Sequence, residues 1–280
     1  MAKNRHMDLT QALEIVTRTD PGVVRSHNED SVYANPALGL AVLADGMGGY
    51  NAGEVASGMT TALLASELAR AFTEQNARER NVSANGWVQP ALQAEIAKTN
   101  GAVYQASQSQ PQYAGMGTTV VATIFHDDRV TVAHIGDSRL YRLRNEEFSP
   151  VTRDHSLLQE QIDAGLITPE QARTSHNKNL VTRALGVDPA VEAEIHEYRV
   201  NAGDIYLLCS DGLNDMVSDD DIAMTLRMLS SNLELCAMQL VQLANDNGGR
   251  DNVSVILVKV RQAYPVSRGL LARLRAWFQK

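Results

Sequence analysis

With 280 residues, 44% of them apolar and 21% charged, and a formal net charge of −8, the chain can bury a sizeable core as one domain or two. Its acidic balance speaks against a general nucleic-acid binder and suits carboxylates that hold cations. Cys209 and Cys236 are the only cysteines. Neither belongs to a Cys-x-x-Cys pair, so a disulfide framework or a zinc finger is unsupported and a reducing cytosol fits. The N-terminal residues lack the apolar run of a signal peptide, and no segment reaches the ~20 apolar residues of a membrane helix. The expectation is a cytoplasmic protein.

In chain order, "EIVTRTD" (14–20) and "SVYAN" (31–35) read as short strands, and "LGLAVLADG" (38–46) as a buried strand ending at Asp45. A helix with small and apolar residues at helical spacing follows from Ala52. A second begins near Val88, after the polar, turn-rich segment 74–86. Residues 117–148 hold three β-rich runs, broken at Asp127-Asp128 and at Gly136-Asp137. The breaks are too short for a crossover helix, which predicts that all three runs are antiparallel neighbours. Residues 155–185 read as helical and irregular, "AEIHEYRV" (193–200) and "DIYLLCSDG" (204–212) as strands, 219–229 and 232–246 as amphipathic helices, and "NVSVILVKV" (252–260) as a last strand. Antiparallel strands mixed with paired helices predict an α+β fold, two packed sheets with helices outside.

The acidic residues share an address. Asp45, Asp137 and Asp211 end strands and Asp251 precedes one, each beside glycine or a turn. A single aspartate there is a turn former. Four at strand ends can converge, and converging carboxylates repel unless a hard cation such as Mg²⁺ or Mn²⁺ binds. In "LADGMGGYNAGE" (43–54) a metal on Asp45 can also take the carbonyl of Gly46, while Gly48 and Gly49 leave room for a substrate. The stretch is not a P-loop, which needs a lysine, nor a dinucleotide fingerprint, which needs glycine where Asn51 stands. Upstream, Arg25 precedes Glu29 and Asp30. It is either one partner of a surface salt-bridge cluster or, beside a metal cluster, a bidentate clamp for a phosphoryl group.

The segments "RSHNED" (25–30), "LADGMGGYNAGEVAS" (43–57), "GMGTTVVA" (115–122), "HIGDSRLY" (134–141), "RDHS" (153–156), "LVTRALG" (180–186), "CSDGLND" (209–215) and "GGRDNVSV" (248–255) together resemble the metal-dependent Ser/Thr protein phosphatases of type 2C, in their compact bacterial form. The resemblance runs from about Thr17 to Val260. It implies a sandwich of two antiparallel sheets flanked on both sides by helix pairs, forming one catalytic domain over 1–260 with a flap at about 157–180. It also implies two Mn²⁺ or Mg²⁺ ions and hydrolysis of phosphoserine and phosphothreonine in proteins by a metal-bridging water. By position, Asp45, the Gly46 carbonyl, Asp211 and Asp251 resemble the metal ligands, and Glu29 and Asp30 the acidic pair behind them. Arg25 resembles the phosphate-binding arginine, and Asp137, with Asp215, the site of a third, weaker metal. Met47 stands where many relatives carry a proton-donating histidine. That leaves metal-bound water as the leaving-group donor, with His155 as a second candidate. A non-catalytic phosphoprotein-binding relative and a hydrolase of small phosphate esters are the alternatives. Phosphorylated proteins, including a Ser/Thr kinase, are the implied partners of a monomer. The basic tail 261–280, with Leu270, Leu271, Leu274, Trp277 and Phe278 at helical spacing, reads as a docked terminal helix. Alternatively, residues 268–280 make a peripheral contact with a protein or with the inner membrane surface.

Overall fold

The structure, a computed structural model, describes residues 9–49, 52–78, 86–168, 171–172, 175 and 180–264. Eleven strands form among them: β1 Leu13–Asp20, β2 Asp30–Asn35, β3 Leu40–Met47, β4 Gly117–Thr118, β5 Val120–His126, β6 Arg129–Ile135, β7 Arg139–Arg144, β8 Glu147–Pro150, β9 Glu194–Arg199, β10 Ile205–Cys209 and β11 Val253–Val260. The helices are α1 Ala52–Arg78, α2 Val88–Ser109, α3 Leu157–Asp163, α4 Asp211–Asn214, α5 Asp219–Leu229 and α6 Leu233–Asp246. Strands β1-β11-β10-β7-β8 make one sheet. Strands β2-β3-β5-β6-β9, with β4 beside β3, make the other. Every paired ladder is antiparallel.

The central strands are apolar on both faces because both are covered, and alternation sorts the side chains. Tyr206 and Leu208 of β10 and Ile256 and Val258 of β11 face the other sheet, where Leu43, Val121, Phe125 and Val132 meet them. Phe125 and Tyr206 pack edge to face at 5.3 Å. The alternate residues Leu207, Cys209, Val255 and Leu257 lie under Ile222 and Leu226 of α5 and Leu240 of α6. On the second sheet Val42, Ala122 and Ile124 lie under Leu64 and Leu68 of α1 and Leu92 and Ile96 of α2. This is the expected α+β sandwich between two helix pairs. Among the described residues no helix is long and apolar enough to cross a membrane.

Three expectations change. The runs 129–135 and 139–144 are not neighbours: β6 pairs with β5 and β9, β7 with β10 and β8. A three-residue connection is as able to step across the sandwich as to fold back in one sheet, and Gly136, at φ +101°, turns the chain across. By contrast, the Asp127-Asp128 turn is a two-residue hairpin, with Asp127 at φ 49° and His126 paired to Arg129. Strand β3 continues two residues past Asp45, because Gly46 and Met47 pair with β4. Packing also continues past residue 260: Arg261 bonds Ala12 and Glu14, and Tyr264, 6% exposed, donates to the carbonyl of Arg129. Residues 268–280, where the tail contact was expected, lie outside the described residues.

Candidate active site

Both sheets deliver carboxylates to one end of the sandwich. From the second sheet, Asp30 opens β2 directly opposite Asp45 of β3. The backbone of Asp45 is held by two threonines: Thr118 Oγ1 and the Thr119 amide donate to its carbonyl at 2.7 and 2.8 Å, and its amide donates to Thr119 Oγ1 at 3.0 Å. From the first sheet, Asp211 starts α4 just after β10, and Asp251 lies two residues before β11. Direct bonds tie the two sets together. Ser210 donates to Asp30 Oδ2 at 2.7 Å, and the Glu29 amide donates to Asn252 Oδ1 at 2.8 Å. Asp137 lies on the β6–β7 crossover, 7% exposed.

Glycine is needed at Gly46 for space. A Cβ there would sit 2.0 Å from the carbonyl oxygen of Gly53 and 2.7 Å from that of Glu29. The Gly46 amide donates to that same Glu29 carbonyl at 3.0 Å. Gly212, beside Asp211, is pressed as closely against Asn252.

Burial and mutual repulsion raise the carboxyl pKa values. Asp45 is held well above the ordinary range by burial and then by Asp30, Asp211, Asp137 and Asp251. Asp211 is raised likewise by burial, Asp137, Asp251, Asp215 and Asp30. Asp30 and Asp137 are each pushed up to about 6, chiefly by burial. The Oδ1 atom of Asp30 is buried without a hydrogen-bond partner among the described residues. Crowded, all-oxygen donors short of protons and partners are what a hard divalent cation satisfies, so the residues fit Mn²⁺ or Mg²⁺.

The metal-free protein should show this in its stability. Each raised folded pKa exceeds the ordinary carboxyl value of 3.8. Between about pH 7.5 and 6 these carboxyls take up protons in the folded state that they do not take up in the unfolded chain, so acidification through them is stabilising, while the buried His134 and His155, whose pKa values are lowered by burial, contribute with the opposite sign. Acidification over that window should therefore be more favourable to Tm in EDTA than in saturating Mn²⁺, the comparison cancelling the histidine contribution. Equal slopes with and without metal would contradict the clustering.

Arg25 lies beside the cluster and pairs with Asp251 rather than with Glu29 or Asp30. Its Nη2 donates to Asp251 Oδ2 at 2.7 Å, half of the side chain remains exposed, and Asp251 is the largest cause of its raised pKa. Asp251 Oδ1 accepts from the Asn252 amide at 2.9 Å. Glu29 packs against Gly53 at the start of α1. Asp215, one turn beyond Asp211, lines a cavity of about 480 Å³ with Asp137 and Asp211. Leu158 and Ile162 of α3, in the expected flap, form its far wall. The two ends of that segment are tied together, where Ser156 bridges Val181 and the Leu157 amide donates to Leu180. Met47 lies near Gly117. His155 is not with the carboxylates. It is buried, its ring engaged by Gly136, His134 and Glu194.

Thr118, Thr119, Ser210 and Asn252 hold the cluster and received no role from sequence, although each adjoins an aspartate or glycine motif. Their bonds to Asp45, Asp30, Glu29 and Ser254 span 44 to 223 positions, so no local pattern announces them.

Residues 24–244 match the family described as Protein phosphatase 2C, and the chain belongs to it. It is 39% identical over 252 residues to the serine/threonine protein phosphatase PstP of Mycobacterium tuberculosis, covering 90% of this chain and 46% of that one. The chain thus spans about half the length of the mycobacterial relative. It is 38% identical to the serine/threonine phosphatase stp of Listeria welshimeri, covering 86% and 94% of the two chains. The crystal structure of the PstP catalytic domain in complex with two manganese ions superposes with a TM-score of 0.76 at 39% identity, covering 89% of this chain and 98% of that one.

Proposed function

We propose that the chain hydrolyses phosphoserine and phosphothreonine in proteins, using two Mn²⁺ or Mg²⁺ ions held by Asp45, the Gly46 carbonyl, Asp211 and Asp251. A third, weaker ion belongs to Asp137 with Asp215. The observation that carries this is the meeting of carboxylates from both sheets beside Arg25, with the buried Asp30 Oδ1 left without a hydrogen-bond partner among the described residues. The two manganese ions of the PstP catalytic domain support the metal count.

Bound there, the ions supply Lewis acidity that activates water and screens the phosphoryl charge. The protein contributes the rest. Arg25, half exposed and paired with a residue of the cluster, turns its fork to the phosphoryl oxygens and orients them. Asp30 and Glu29 keep negative charge behind the ligands. Met47 has no proton to give and His155 is buried behind Gly136, so neither side chain protonates the leaving alkoxide, and water held at the site remains the donor. The cavity between α3 and α4 receives the residues that flank the phosphorylated one.

Release of phosphate from a phosphothreonine peptide and from a small aryl phosphate, with and without Mn²⁺, tests the reading. Metal-dependent release favouring the peptide is expected. No release from either substrate would make the chain a binding relative, and preference for the aryl ester a small-molecule hydrolase. Arg25→Ala should raise KM about tenfold through loss of a charged phosphate contact, with a smaller fall in kcat and Tm within a few degrees. Unchanged kinetics with a large loss of stability would make the Arg25–Asp251 pair structural.

The same proposal covers the setting: a cytoplasmic monomer acting on phosphorylated proteins, a Ser/Thr kinase among them. Its domain runs through Tyr264, and the basic apolar residues 268–280 touch a protein partner or a membrane surface. The tail's composition alone supports that last point.

A further inference from the structure

Outside the carboxylate cluster lies a second group of titratable side chains. His134, His155 and Glu194 bring potential ligand atoms within 4.8 Å of one another, and His134 and His155 are 2% and 6% exposed. The hydrogen bonds argue against a metal there. The Gly136 amide donates to His155 Nδ1 at 3.2 Å, which places the ring proton on Nε2, facing Glu194 Oε2 at 3.4 Å. That tautomer leaves His155 no lone pair for an ion.

The same bonds do something else. The His155 amide also donates to the Gly136 carbonyl at 2.9 Å, so one residue grips both polar groups of the glycine that precedes Asp137. On the other side, a Cβ on Gly136 would lie 2.6 Å from Thr119 Cγ2. Thr119 shares a 2.7 Å hydrogen bond with Ser138 and accepts from the Asp45 amide. The crossover carrying Asp137 is thus clamped between Thr119 and His155. The imidazole is held in turn: it stacks on His134 at 4.7 Å, and Glu194, bonded to His196 at 2.8 Å, faces its Nε2. The His155 carbonyl accepts from the Thr182 amide at 2.8 Å, joining the clamp to the base of the flap.

We infer that His155 is a positioning residue for Asp137, fixing the crossover through the Gly136 amide and thereby setting the metal dependence of the reaction. This rests on the role proposed for Asp137. Two substitutions divide the side chain's contacts. His155→Asn keeps an acceptor where Nδ1 stands, and His155→Gln carries its polar end towards Glu194 and leaves the Gly136 amide without its acceptor. In steady-state assays of the full chain on a phosphothreonine peptide, His155→Gln should raise the Mn²⁺ concentration giving half-maximal rate by ~10-fold. Its KM for peptide at saturating Mn²⁺ should stay within about 2-fold, and His155→Asn should lie within about 3-fold of wild type on both counts. Asp137→Asn, assayed alongside, should shift the Mn²⁺ requirement in the same direction as His155→Gln. Equal Mn²⁺ shifts in both His155 variants, accompanied by matched losses of Tm, would reduce His155 to packing and overturn the inference. So would unshifted His155 variants beside a shifted Asp137→Asn. A wild-type-like Asp137→Asn in an active, Mn²⁺-dependent protein would overturn the inference while leaving phosphatase activity standing. A wild-type chain without Mn²⁺-dependent release would overturn the proposed function and the inference together.

Discussion

Asp211→Asn should lower kcat about 100-fold or more while making the metal-free protein no less stable. The amide keeps the size of the carboxylate and its place at the head of α4, but it removes one anionic donor from the cluster proposed to hold divalent cations, where even a residue behind the ligands would be worth about 10–100-fold. Without metal the same change relieves repulsion, because Asp137, Asp251, Asp215 and Asp30 all raise the Asp211 pKa. Activity and apo-stability should move in opposite directions, as expected where a site is held against its own charge. Initial rates across a Mn²⁺ titration and melting curves in EDTA measure both. Near-wild-type turnover at low Mn²⁺ would remove Asp211 from the ligand set.

Gly46→Ala should cost both stability and activity, for a steric reason. The added methyl meets the backbone oxygens of Gly53 and Glu29 at 2.0 and 2.7 Å, and backbone yields less readily than a side-chain tip. Overpacking of this kind costs about 3 kcal/mol, which lowers Tm by roughly 6–12 °C in a domain near this size. Any relief comes from moving β3 away from α1, and the carbonyl proposed as a ligand moves with it. Gly49→Ala is the matched comparison for stability, since a Cβ there meets nothing within 4 Å. Equal melting temperatures for the two variants would show that the contact at Gly46 relaxes without cost.

Much of the fold was legible because local and global signals agree. The helices over 219–229 and 232–246 were readable from their amphipathic period, and the structure adds caps: Ser218 and Asn232 accept from the Asp221 and Leu235 amides. The Asp127-Asp128 hairpin was readable from turn chemistry. The step at Gly136-Asp137 was not, because a positive-φ glycine suits a hairpin and a crossing alike, and only the partners of β6 and β7 decide. The aspartates stood out by their common place at strand ends together with the family motifs. What holds them did not: Asn252 bonds the Glu29 amide and the carbonyls of Pro21 and His27, contacts that exist only after the two ends of the chain have met. Arg25 was legible as a cation near acids, while its pairing with Asp251, 226 residues on, was not.

The cross-sheet bond from Ser210 to Asp30 makes the site a clasp between two halves. Asp30 and Asp45 belong to one sheet, Asp211 and Asp251 flank strands of the other, and Asp137 lies on the strap between them. Neither half can assemble the site alone, so the site gauges how closely the sheets are seated. A loosened interior, such as a shortened side chain at Phe125 where it meets Tyr206, spreads the clasp while each sheet keeps its own ladder. Under mild denaturant, catalysis should therefore fail before secondary structure does, and divalent metal, by closing the clasp, should draw the two transitions together.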